Sequence, residues 1–182
     1  MRIVLLVDSS STVSSTFTQF RAGLNAFLDA LAGEPEVAII STGGQFRIRA
    51  EPTTDRTKLQ AAANSFAADG GGNSFLDVLL EADRRFLKTA SDRRSVFVIL
   101  TTDTGASVAD PRIDAYNKFM SDFRARGGQA HAIVITSQRS GVMTQIVQNL
   151  THNTDGFFET VGIASAVPKL MKMIAERISA DQ

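Results

Sequence analysis

The chain has no cysteine and no tryptophan, one tyrosine, two histidines and four prolines among 182 residues. Without cysteine there is no disulfide, no thiolate zinc or iron–sulfur ligation and no cysteine nucleophile. The two histidines, His131 and His152, argue against a multi-histidine metal cluster. Neither sign of charge is in excess, because 19 Lys+Arg face 19 Asp+Glu. A protein that grips a nucleic-acid backbone usually carries a basic surplus, so no nucleic-acid partner is expected. Long apolar runs are missing too. The first, Ile3–Val7, ends at Asp8 and is too short for a membrane span or for the apolar region of a signal peptide. Direct membrane contact is therefore not expected. A hydrophobic share of 43% with 21% charged residues excludes wholesale disorder. The length suits one domain over residues 1–182. A strand opening so close to the first residue hints at a domain taken from a larger protein.

Four segments read as buried strands: Ile3–Val7, Val37–Ser41, Val96–Thr101 and Ala130–Ile135. Each is aliphatic almost without interruption, as in a parallel sheet covered on both faces. Gln45–Ala50 alternates instead, with Phe46 and Ile48 on one side and Arg47 and Arg49 on the other. It suits a half-exposed antiparallel edge, reached from Val37–Ser41 through Gly43-Gly44 as a two-residue hairpin turn. Gly156–Thr160 is a weaker sixth strand. Apolar spacings of three and four predict helices over Phe17–Leu31, Asp55–Phe66, Phe75–Leu87, Asp110–Arg124, Ser140–Leu150 and Ala164–Ile178. Asp110-Pro111 reads as a helix start and Gly127-Gly128 as a stop. This order predicts a doubly wound, Rossmann-like α/β fold: a mostly parallel sheet of about six strands, one antiparallel edge strand, and helices on both faces.

In such a sheet ligands bind beyond the carboxyl ends of the strands. There the first strand runs into Asp8-Ser9-Ser10-Ser11-Thr12, and Val96–Thr101 runs into Thr102-Asp103-Thr104-Gly105. Between them in sequence lies Gly70-Gly71-Gly72-Asn73-Ser74, just before a helix. Carboxylate and hydroxyl oxygens suit hard cations, so Mg²⁺, Mn²⁺ or Ca²⁺ is the expected ion. Asp8, Ser10 and Thr12 fall at alternate positions, which point the same way in extended or turning backbone.

Asp8-x-Ser10-x-Thr12, the glycine-rich loop at 70–74 and Asp103 at a strand end resemble the metal-ion-dependent adhesion site of von Willebrand factor A domains, over nearly the whole chain. The resemblance implies a protein-binding module rather than an enzyme. Its divalent cation, held by Asp8, Ser10, Thr12, Asp103 and the loop residues Asn73 and Ser74, takes a carboxylate from a partner protein. The sequence departs from the family pattern in three ways. Thr12 replaces a serine, Asn73 stands where the family has a threonine, and Thr104 precedes Gly105 where glycine commonly follows the aspartate directly. An Asn73→Thr exchange is accordingly expected to tighten metal binding, unless Ser74 already fills the threonine's role. The loop before Asn73 is expected to be mobile when free.

A second reading is a metal-dependent phosphoryl-transfer or hydrolytic enzyme. A haloacid-dehalogenase-type site, however, resembles D-x-D-x-[TV], and Ser10 stands at the second carboxylate. Neither a G-x-S-x-G elbow nor a G-x-x-x-x-G-K-[ST] loop is present. A third reading is a von Willebrand-type interaction domain with a degenerate metal site, Asn73 being the first symptom. The compartment expectation leans extracytoplasmic, although a chain without cysteine fits a cytoplasmic assembly equally. His131 reads as a packed strand residue, and Asn149-Leu150-Thr151 as a chance glycosylation triplet near a helix end.

Overall fold

The computed structural model describes residues 1–107, 109–136 and 141–182. Its strands are β1 (Arg2–Val7), β2 (Glu36–Ser41), β3 (Arg47–Thr53), β4 (Ser95–Thr102), β5 (Gln129–Ile135) and β6 (Phe158–Val161). Its helices are α1 (Phe17–Ala30), α2 (Arg56–Asn64), α3 (Phe75–Ala82), α4 (Ile113–Ala125), α5 (Val142–Asn153) and α6 (Val167–Ala180). The strands form one sheet in the order β3-β2-β1-β4-β5-β6, all parallel except β3, which runs antiparallel to β2. This is the expected doubly wound architecture.

Side chains alternate across the sheet, and that alternation makes two cores. Ile3, Leu5 and Val7 of β1 pack with Val96, Val98 and Leu100 of β4 under α1, α2 and α6. Val4 and Leu6 face the other way, with Phe97 and Ile99, under α3, α4 and α5. Strands buried on both faces are why these segments read as unbroken apolar runs. Among the described residues, no helix is long and apolar enough to cross a membrane.

Several element boundaries differ from the sequence reading for local reasons. The β2–β3 connection spans residues 42–46, so Gly43-Gly44 is not a two-residue turn. Gly43 is held by an isolated antiparallel bridge to Asn73, and β3 is displaced toward Thr53. Asp110 does not cap α4. Its carboxylate accepts the Arg112 backbone N–H at 2.9 Å and pairs with the Arg112 guanidinium, and the helix opens at Ile113. Those hydrogen bonds from Arg112, opposed by burial, hold the Asp110 carboxyl below its usual range. The Gly127-Gly128 stop is present as expected: Gly128 N–H donates to Phe123 and Gly127 N–H to Arg124, the paired bonds of a Schellman end. The helix predicted over Phe75–Leu87 continues past α3 as a π-helical turn, Asp83–Leu87. The predicted α5 start at Ser140 lies outside the described residues. Thr151 of the glycosylation triplet is buried inside α5.

Candidate metal centre

β1 is central, and the chain leaves it toward β2 on one side and β4 on the other. This reversal opens a crevice beyond the carboxyl ends of β1 and β4. Asp8, Ser9 and Ser10 follow β1 at that end and are all buried. Buried polar groups cost free energy unless they are hydrogen-bonded. Asp8 Oδ1 accepts the Ser10 N–H at 2.8 Å, and Oδ2 accepts both the N–H (3.2 Å) and the hydroxyl (2.5 Å) of Thr102. Three donors therefore orient the carboxylate, but among the described residues no basic side chain pairs with it. The Ser10 hydroxyl is buried and has no hydrogen-bond partner among the described residues. Thr12 follows in a short 3₁₀ turn, Ser11–Val13, and is exposed.

Ser9 anchors this loop, a role the sequence reading did not assign. Its hydroxyl donates to Asp69 Oδ2 (2.6 Å) and accepts the Gly43 N–H (2.9 Å), while its carbonyl accepts the Asp69 N–H (2.7 Å). Gly43 lies so close that a β-carbon there would meet the Ser9 carbonyl oxygen at 2.5 Å, which explains a glycine at this place. Asp69 also takes an ion pair from Arg49 of β3. Burial pushes the Asp69 carboxyl up, yet the hydrogen bonds from Ser9 and Arg49 and the charges of Arg49 and Arg47 outweigh it and leave it below its usual range. Asp69 carries no motif signature, and the alternation of Arg47 and Arg49 reads only as the mark of a half-exposed edge strand.

The glycine-rich loop is stitched down rather than loose. The Gly71 carbonyl accepts the backbone N–H and the hydroxyl of Ser11, each at 3.1 Å, and the Gly72 carbonyl accepts the Gly44 N–H at 2.7 Å. Gly70 and Gly71 sit at φ +83° and +69°, in the left-handed region that a side chain disfavours. These bonds hold the loop in a defined turn in the folded chain.

Asn73 is buried, and its amide is fully engaged. Oδ1 accepts from the Thr42 hydroxyl at 2.6 Å, and Nδ2 donates to the Thr101 hydroxyl (2.9 Å) and the Thr104 carbonyl (3.3 Å). It clamps the ends of β2 and β4 together. Ser74 donates its backbone N–H to Thr42 (2.9 Å), while its hydroxyl makes no hydrogen bond among the described residues. Asp103 turns toward α5: Oδ1 accepts the Thr144 N–H at 2.9 Å, as a cap on the helix start, and Oδ2 lies 3.5 Å from the Thr136 hydroxyl. Thr12 and Asp103 nevertheless line one cavity of about 470 Å³, with Thr16, Thr102, Thr104 and Thr136. Among the described residues no group of three or more His, Asp or Glu side chains could hold a metal ion, so oxygen donors here must include hydroxyls.

The family model of the von Willebrand factor type A domain matches residues 3–105, more than half of the chain and the stretch that holds all six candidate residues. The chain belongs to that family. Solved structures share its fold. A von Willebrand factor type A protein from Catenulispora acidiphila superposes with a TM-score of 0.78 at 13% identity, over 98% of this chain and 42% of that one. This chain therefore spans about two fifths of that neighbour. Proximal thread matrix protein 1 from the mussel byssus, described with a zinc-occupied MIDAS motif, gives 0.74 at 13% identity over 98% of this chain and 48% of the other. The manganese-loaded TRAP protein of Plasmodium vivax gives 0.66 at 15% identity over 94% of this chain and 73% of the other. No curated protein matches the sequence.

Proposed function

We infer that residues 1–182 form a protein-binding module that holds a divalent cation at the carboxyl ends of β1 and β4 and completes the ion's shell with a carboxylate from a partner protein. The observation that carries this reading lies directly after β1. Among the described residues, a buried carboxylate without a counter-charge, Asp8, stands beside a buried hydroxyl without a partner, Ser10. A hard cation answers both, because it neutralises the carboxylate and accepts the hydroxyl oxygen's lone pair. Thr12 would add a third oxygen, and Asp103, held by α5, would act through water. Asn73 fits poorly as a ligand, since its amide is engaged elsewhere; Ser74 is the freer oxygen of that loop. Mg²⁺ or Mn²⁺ is the proposed ion, with Ca²⁺ an option if the shell is loose. The zinc-occupied MIDAS motif of one structural neighbour and the manganese-loaded form of another support the reading of a metal-binding domain.

Calorimetric titration of the chain with Mg²⁺, Mn²⁺ and Ca²⁺ tests the reading. Binding should disappear in Asp8→Ala and weaken at least about tenfold, roughly 1.4 kcal/mol, in Ser10→Ala. No heat at millimolar metal, together with no metal-dependent shift in melting temperature, would instead identify an interaction domain whose metal site is degenerate.

The ion serves binding rather than hydrolysis on this reading. A hydrolytic site needs a positioned base, and His131 is buried in β5 while His152 sits near the end of α5. Generic phosphatase and esterase substrates should show no turnover. Turnover that vanishes in Asp8→Asn would overturn the assignment.

A further inference from the structure

The end of the sheet opposite the proposed metal crevice, where β4 begins, holds a second cavity, of about 460 Å³, lined by Leu87, Lys88, Arg93, Asp122, Ala125 and Arg126 together with Ser91 and Ser95. It is built where β4 begins, where α4 ends, and where the chain leaves the π-helical turn. Burial does not account for its polar groups. Ser95 is 6% exposed and shares the α3–α4 side of the sheet with Phe97, yet its hydroxyl has no hydrogen-bond partner among the described residues, and neither has that of Ser91. The Lys88 ammonium approaches Asp83 and Asp122 only at 3.9 and 3.8 Å, beyond hydrogen-bonding distance. Arg126 gives one nitrogen to the buried Asp83 and lies over the Phe123 ring, and its other guanidinium donors make no hydrogen bond among the described residues. Arg93 gives one nitrogen to Glu36 at 2.9 Å and lies 3.9 Å from Asp92.

Three cations thus converge on one cavity with a single lining carboxylate, Asp122, since Asp83 lies behind Arg126 as its partner. Guanidinium and ammonium donors beside free hydroxyls form the donor set that a tetrahedral oxyanion needs. Leu87 and Ala125 add an apolar wall, and the volume exceeds what one phosphate group fills. We propose that this cavity binds a small phosphate monoester, its phosphoryl oxygens on Lys88, Arg126, Ser91 and Ser95 and its organic part against Leu87 and Ala125. The site is independent of the metal crevice, which lies at the other ends of the same strands.

The test uses the full chain with a chelator present, so that phosphate cannot bind through a cation at Asp8. Inorganic phosphate and phenyl phosphate are titrated at constant ionic strength while backbone amide resonances are followed. Both should shift Lys88, Ser91, Ser95 and Arg126, and phenyl phosphate should bind at least threefold more tightly. Lys88→Gln should weaken both ligands at least fivefold with an unchanged melting temperature in chloride, because Lys88 is half-exposed and makes no close ion pair. Ser95→Ala should weaken them without altering the spectrum of α5. Absence of shifts, shifts that survive in both variants, or phenyl phosphate binding no better than inorganic phosphate would each overturn the assignment.

Discussion

Acidification from pH 6.5 to 4 is expected to cost the folded chain roughly 3 kcal/mol through His131 alone. The ring is fully buried in β5, and Nδ1 accepts the Phe157 N–H at 3.0 Å, so the proton of the neutral ring sits on Nε2, which is buried without a partner among the described residues. Protonation must break the bond from Phe157 and bury a cation. Burial, and then the charges of Arg177 and Arg94, push the imidazole down from 6.5 to about 4. The unfolded chain therefore binds a proton in this window that the folded chain refuses. The contribution of His131 is fully present above pH 6.5, is lost as the pH falls toward 4, and changes no further below that. Buried Asp83 works in the other direction. Desolvation, opposed by Arg126, raises its carboxyl, so its contribution weakens as the pH rises. Asp69 and Asp110, held low, lose theirs only below the ordinary carboxylate range. Urea midpoints between pH 7.5 and 4 for the wild type and for His131→Asn separate these effects, since asparagine keeps an acceptor near Nδ1 but does not titrate. The slope between 6.5 and 4 should flatten in the variant. An unchanged slope would assign the acid sensitivity to another group.

What was legible in the sequence follows the range over which each feature is determined. The four core strands and the two-sided burial are local properties of apolar runs, and the structure reproduces them within a residue or two. The strand-end positions of Asp8 and Asp103 follow directly from those runs. Features set by meetings between distant segments were not legible. Gly43-Gly44 looks like a hairpin turn, yet Gly43 bridges to Asn73 and receives Ser9, so the loop is longer and β3 starts later. Asp110-Pro111 looks like a helix start, but Arg112 captures the aspartate. Asp69 holds Ser9 only because Arg49 arrives from the edge strand, and no spacing rule relates those three positions. Asp8 and Ser10 are joined by the bond from the Ser10 N–H and Thr12 follows in the next turn, while Asn73 and Asp103 have their polar atoms on other partners.

Asn73→Thr is expected to lower stability by about 1–3 kcal/mol and to leave metal affinity no tighter, the reverse of what the family's threonine suggests from sequence. The asparagine amide reaches the Thr42 hydroxyl on one side and the Thr101 hydroxyl and Thr104 carbonyl on the other. A threonine hydroxyl is shorter and has a single oxygen, so it cannot span both strand ends. Part of a buried network would be left unsatisfied, and that costs more than the bonds themselves are worth when complete. On the proposed function, a hydroxyl introduced at position 73 would gain little metal affinity, because the loop that carries it is already tied down through Gly71 and Gly72 and has little ordering cost left to recover. Ser74 provides the contrast. Its hydroxyl makes no hydrogen bond among the described residues, so Ser74→Ala should leave the melting temperature within about 2 °C of the wild type, the range of a surface substitution. If Ser74 is the loop's ligand, the same change removes most of the metal affinity. Thermal melts and Mg²⁺ titrations of the two variants side by side decide the matter. An Asn73→Thr protein that melts like the wild type and binds Mg²⁺ tenfold more tightly would show that the clamp is dispensable and that position 73 faces the ion.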